Sequence, residues 1–103
     1  MTVIDRLVPP EVRATLPPLY AQEHVADPIV HVKWFTPDAG WTWYLLEWDG
    51  EDLCFGWVVG PEAELGYFSL AEIGAVRGPY GLLVERDRHF RPNPLSVVQR
   101  THP

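Results

Sequence analysis

Cysteine is almost absent. Cys54 is the only one in 103 residues, which excludes an intrachain disulfide and any metal cluster built from the cysteines of one chain. Long apolar runs are missing too: no stretch approaches the roughly 20 residues of a membrane span, and no charged leader precedes an apolar segment at the N-terminus. The expectation is a chain complete as written, cytoplasmic and without a membrane partner. Positive charge is also scarce. Eight lysines and arginines face 14 acidic side chains for a formal charge of -6, which repels phosphate polymers unless the cations gather on one face. Arg77, Arg86, Arg88, Arg91 and Arg100 do gather in the last third. There is no internal repeat, no low-complexity segment, and no motif that names a catalytic mechanism, a metal or a cofactor.

What is present is aromatic and proline-rich. All five tryptophans lie between Trp34 and Trp57, inside a stretch from Ile29 to Phe68 that alternates like successive β-strands. The 11 prolines cluster towards the ends, as Pro9-Pro10, Pro17-Pro18 and Pro92-Asn93-Pro94, where they interrupt helices and favour extended connections. The length suits one domain, residues 1–103, that buries roughly two thirds of its unfolded surface.

Within residues 1–28, Pro10 to Leu16 fits a short helix with proline in its first turn and Glu11 near the positive end. Ile29–Phe35, Trp41–Trp48, Leu53–Val59 and Glu64–Phe68 read as four strands. Asp49-Gly50 signals a tight hairpin, and a two-residue turn there sets Leu46 opposite Leu53, Tyr44 opposite Phe55 and Thr42 opposite Trp57. A five-residue connection from Thr36 to Gly40 sets Val32 opposite Tyr44. The resulting core face holds Val30, Val32, Trp34, Tyr44, Leu46, Leu53, Phe55, Trp57 and Val59. The other, mixed face holds Ile29, His31, Lys33, Phe35, Trp41, Trp43, Leu45, Glu47, Cys54, Gly56 and Val58. The turn at Gly60-Pro61 leaves the direction of Leu65 and Tyr67 open.

Ser69-Leu-Ala-Glu72 is a capping-box pattern that opens a helix with Leu70, Ile73 and Val76 on one side, and Gly78-Pro79 stops it. Leu82–Arg86 suits a fifth, edge strand. Residues 91–103 read as an extended or partly disordered tail. The expected fold is therefore α+β: a four- to five-stranded, mainly antiparallel meander, one short helix after strand four, and Pro-rich extended ends packed on the sheet.

The mixed face offers the candidate binding residues, because Trp41 and Trp43 suit an aromatic platform edged by Lys33, His31 and Glu47. Trp43 is expected over Gly56 with the Lys33 ammonium beside its ring. An alternative reading covers those rings as a second small core. Two functional alternatives remain open at this level. Aromatic rings with the C-terminal arginines suit single-stranded nucleic acid, whereas His31 and Glu47 with Asp49, Glu51 and Asp52 would suit a small metal-dependent hydrolase. Turn chemistry explains those carboxylates more simply, and His89 with Asp87 and Glu85 reads as charge on an exposed edge. Cys54 reads as a small buried apolar residue.

Pro18-Leu-Tyr-Ala-Gln-Glu23, Phe35-Thr-Pro-Asp38 before Trp41-Thr-Trp-Tyr44, Gly60 with Glu64-Leu-Gly-Tyr-Phe-Ser-Leu70, and Glu85-Arg-Asp87 before Phe90 are similar to a family catalogued as domain of unknown function 2958. The likeness covers most of the chain. Where the family pattern often has phenylalanine, Trp34 and Trp57 stand here. The resemblance implies an accessory role in plasmids, phages and integrative elements and brings no catalytic residues with it. Joined to the acidic balance, it favours a non-catalytic protein-interaction module whose partner is a host or element DNA-handling protein.

Overall fold

The computed structural model describes residues 2–102, and its centre is the expected antiparallel sheet. Strands β2 (Val32–Phe35), β3 (Thr42–Trp48), β4 (Leu53–Val59) and β5 (Ala63–Ser69) form the meander, and β6 (Glu85–Arg86) pairs with β2, giving the order β5-β4-β3-β2-β6. A separate two-stranded ribbon joins β1 (Ile29–Val30) to β7 (Asn93–Pro94). Helices α1 (Val3–Leu7), α2 (Pro10–Arg13), α3 (Leu70–Ala75) and α4 (Leu95–Thr101) complete an α+β fold.

Both faces of the sheet are covered, which corrects the division into one core face and one mixed face. On the first face Trp34, Trp43, Leu45, Trp48 and Cys54 pack with Leu7 and Val8 at the end of α1 and with Leu70 and Ile73 of α3. Trp34 is fully buried, and its indole N–H donates to the Leu7 carbonyl at 2.9 Å. On the second face Val30, Tyr44 and Leu46 pack under Leu95 and Val98 of α4, with Phe55 and Trp57 at the margin.

Two register changes cause the redistribution. Phe35 pairs with Thr42 and Trp34 with Trp43, one step from the expected register, and in a strand one step turns every side chain over. The connection is one residue longer because Thr36 closes it, its N–H donating to the Trp41 carbonyl and its Oγ1 accepting from the Trp41 N–H. The β3–β4 hairpin is longer as well. Trp48 pairs with Cys54, and the Asp49 carboxylate accepts the N–H groups of Glu51, Asp52 and Leu53 at 2.8, 2.8 and 3.1 Å. A β-bulge at Leu46 then shifts the ladder, since Leu45 pairs with Gly56 and Glu47 with Phe55. Glu47 consequently shares the second face with Phe55, and Leu53 is exposed instead of core.

The ends are helical, not extended. Thr2 caps α1 through Asp5, and α2 is shorter than the helix expected from Pro10 to Leu16. The C-terminal stretch read as a tail contains α4, because Leu95 and Val98 recur on one side and bury against Val30 and Leu46. Its start is capped from a distance. The Asp27 carboxylate accepts from the Ser96 N–H and hydroxyl at 2.9 and 2.6 Å. Helix α3 starts at Ser69 as expected, with the Glu72 N–H donating to Ser69 Oγ. Asp52 of the preceding hairpin accepts the Ser69 hydroxyl and the Ala71 N–H at the same helix end.

Candidate functional site

The five residues singled out on the mixed face do not converge. Trp43 is buried in the first core, 7% exposed, and stacks on Trp41 with ring centroids 6.0 Å apart and planes 19° off parallel. Trp41 is 41% exposed, so one ring of the expected platform is open and the other is core. Gly60 backs Trp41 closely, because a Cβ there would lie 2.5 Å from the ring. Lys33 lies on the opposite face. It stands over the Tyr44 ring at 5.8 Å, in place of Trp43, and 3.9 Å from Asp87.

His31 and Glu47 occupy different places. His31 lines a small hollow with Glu11, Asp87 and Phe90, its Nδ1 is buried without a hydrogen-bond partner among the described residues, and burial holds its pKa below the ordinary value. Glu47, 5% exposed, spends both carboxylate oxygens on the chain: Oε1 accepts the Tyr20 N–H at 2.8 Å and Oε2 the Gln22 N–H at 2.7 Å. Among the described residues no group of three or more His, Cys, Asp or Glu side chains could hold a metal ion. Burial pushes the Cys54 thiol up, and Asp87 turns its carboxylate to the His89 N–H at 2.9 Å.

The Glu47 clamp shapes a surface that the sequence left open. Tyr20 is held at φ 70°, the one non-glycine residue with positive φ among those described, a conformation that costs about 1–3 kcal/mol unless its surroundings fix it. The surroundings do fix it. Glu47 holds its amide, and the Gln22 side chain donates to Ile29 O and Leu46 O while accepting from the Ile29 N–H at 2.6 Å. Tyr20 thereby stands 62% exposed over a groove of about 390 Å³ that also takes in Val25, Phe55, Leu65 and Tyr67.

The sheet supplies the floor of this groove. Trp57 pairs with Leu65 and Phe55 with Tyr67 across β4 and β5, the latter rings 4.8 Å apart. Helix α4 packs over the β1–β3 side of this face and leaves Leu65 and Tyr67 47% and 53% exposed. Desolvation, followed by the adjoining Tyr20 side chain, holds the Tyr67 hydroxyl above its ordinary pKa. Beside the groove runs the outer edge of β5, seven residues with a strand partner on one side only. Two stretches that carry the family resemblance, Pro18–Glu23 and Glu64–Leu70, meet here.

Charge is unevenly distributed along the sequence. Residues 34–76 contain no lysine, arginine or histidine and eight of the 14 acidic side chains. Several are occupied: Asp38 accepts the Tyr80 N–H, and Glu47, Asp49 and Asp52 hold backbone amides as described. Glu23, Glu62 and Glu64 remain exposed around the β5 edge. The family model described as Protein of unknown function (DUF2958) matches residues 7–101, and neither a curated protein nor a solved structure matches the chain.

Proposed function

The chain belongs to the DUF2958 family, and on that premise we propose that it is a non-catalytic protein-interaction module that docks an extended basic segment of a partner along β5. The single observation that carries this reading is the free β5 edge beside the exposed Tyr20, Leu65 and Tyr67. An edge strand offers main-chain hydrogen bonds to an added strand, and a neighbouring apolar groove selects alternate side chains. Natural edges are commonly blunted by lysine, proline or a bulge. Ala63–Ser69 contains neither residue, and its pairing with β4 runs without a register shift.

The acidic surroundings choose the partner. A second copy would bring the same anionic half against itself, with a formal charge of -6 on each chain. A basic strand gains from Glu23, Glu62 and Glu64 in both rate and register. DNA-handling proteins of a host or a mobile element carry such segments, which agrees with the accessory role implied by the family.

The test is binding of a labelled, short alternating valine–lysine peptide, followed by fluorescence anisotropy. Saturable binding that weakens with salt is the expected result. Leu65→Lys and Tyr67→Lys should each reduce affinity roughly tenfold or more with an unchanged melting temperature. Equal binding of a valine–glutamate peptide, or self-association of the free chain through β5, would overturn the reading.

A further inference from the structure

The opposite edge of the sheet holds a second, chemically different site. Between β2, the Thr36–Trp41 connection and β6 lies an open cleft of about 760 Å³, lined by Lys33, Arg86, Arg88, His89 and His102 with Trp41 at its rim. The cleft gathers three of the molecule's eight lysines and arginines. Its two carboxylates differ: Glu85 is exposed, whereas Asp87 already holds the His89 N–H and lies 3.9 Å from the Lys33 ammonium. Arg86 and Arg88 form no salt bridge among the described residues. Arg86 Nε is buried and has no hydrogen-bond partner among the described residues.

A buried guanidinium nitrogen without an acceptor is costly, and Arg86 also lines a hollow large enough for a ligand. The guanidinium groups of Arg6 and Arg13 do find acceptors. Arg6 donates to the carbonyls of Val84 and Gly74, and Arg13 to Val8 O and Asp5. His102 also lines the cleft. Its Nδ1 pairs with the Tyr44 hydroxyl, which burial and then the Asp87 charge push up to about 12, and burial and then Lys33 hold the His102 pKa below the ordinary value.

We infer that this cleft binds a phosphate group, with Arg86 and Arg88 as its forked donors. Arg86 and Arg88 line the cleft without a carboxylate partner among the described residues, and the arginine fork matches the oxygens of a phosphate. The same chemistry is offered by a free nucleotide and by the backbone of a single strand. Because β6 and β5 are the two edges of the five-stranded order, this site is independent of the docking edge, and both can be filled at once.

Titration of the full chain with inorganic phosphate, a mononucleotide and an oligothymidylate at constant ionic strength, read by tryptophan fluorescence and calorimetry, tests the site. Saturable binding is expected, with a loss of roughly tenfold or more in Arg86→Gln and in Arg88→Gln and no change in Arg100→Gln on α4. Arg88 is exposed, so its variant keeps the test valid should Arg86→Gln fail to fold. Equal affinity for phosphate and mononucleotide assigns a small-anion site. Much tighter, steeply salt-dependent binding of the oligonucleotide assigns a strand. No saturable binding of any of the three, or binding that both arginine variants retain in full, would overturn the inference.

Discussion

Trp43 and Tyr67 occupy two different settings in this chain, core and exposed surface. Trp43 lies in the core against Leu45 and Val32, so Trp43→Ala should destabilise the protein by about 3–5 kcal/mol, measured by urea unfolding. Tyr67→Ala removes an exposed ring and should leave the midpoint nearly unchanged. Glu47→Gln tests the clamp on Tyr20: an amide cannot accept from both the Tyr20 and Gln22 N–H groups as the carboxylate does. A loss of about 1–3 kcal/mol is expected, with weaker binding of the basic peptide. Sequence alternation identified Trp34, Tyr44 and Leu46 as inward. It could not place Trp43, because both faces of β3 are buried and an all-buried strand has no polar side to read.

At the level of elements, the meander, the Ser69-capped helix and the extra edge strand were legible from periodicity, turn residues and capping chemistry. Register was not. The bulge at Leu46 goes with a hydrogen bond from the distant Gln22 side chain, and the Thr36–Trp41 closure lengthens its turn by one residue through Thr36 hydrogen bonds that residue type alone does not announce. The same holds for α4, whose start follows two prolines and is satisfied by Asp27, 69 residues away in sequence. The groove was hidden for a related reason, since Tyr20 meets Leu65 and Tyr67 only once Glu47 has turned to the second face. Glycine substitutions check this register. A Cβ on Gly56 would lie 2.0 Å from Tyr44 O, whereas one on Gly66 meets nothing within 4 Å. Gly56→Ala should therefore cost about 1–3 kcal/mol or disrupt β3–β4 pairing. Gly66→Ala should keep the melting temperature of the parent.

For the whole molecule, the carboxylates that brace turns and helix ends set the response to acid. Asp27 and Asp49 titrate below the ordinary carboxyl value of 3.8 because Ser96 hydrogen bonds, and the amides of the Asp49 turn, favour the charged form. The unfolded chain binds these protons first as pH falls, so their stabilisation is full above 3.8 and is lost as pH drops through the folded values. His31 and His102, held below 6.5 by burial, act the same way at higher pH, since the unfolded chain protonates before the folded one. Melting temperature should accordingly fall in two stages, beginning below 6.5 and again below 3.8, with Asp27→Asn flattening the second.

The two proposed sites lie at opposite edges of the five-stranded sheet, β5 and β6. The docking edge is the central claim. Amide chemical shifts and hydrogen exchange of the isotopically labelled protein, recorded with and without the alternating valine–lysine peptide, test it most directly. Shifts and new exchange protection are expected along Ala63–Ser69 and around Tyr20, with the Arg86 cleft unmoved. Changes centred on the cleft, or none along β5 at saturating peptide, would contradict it.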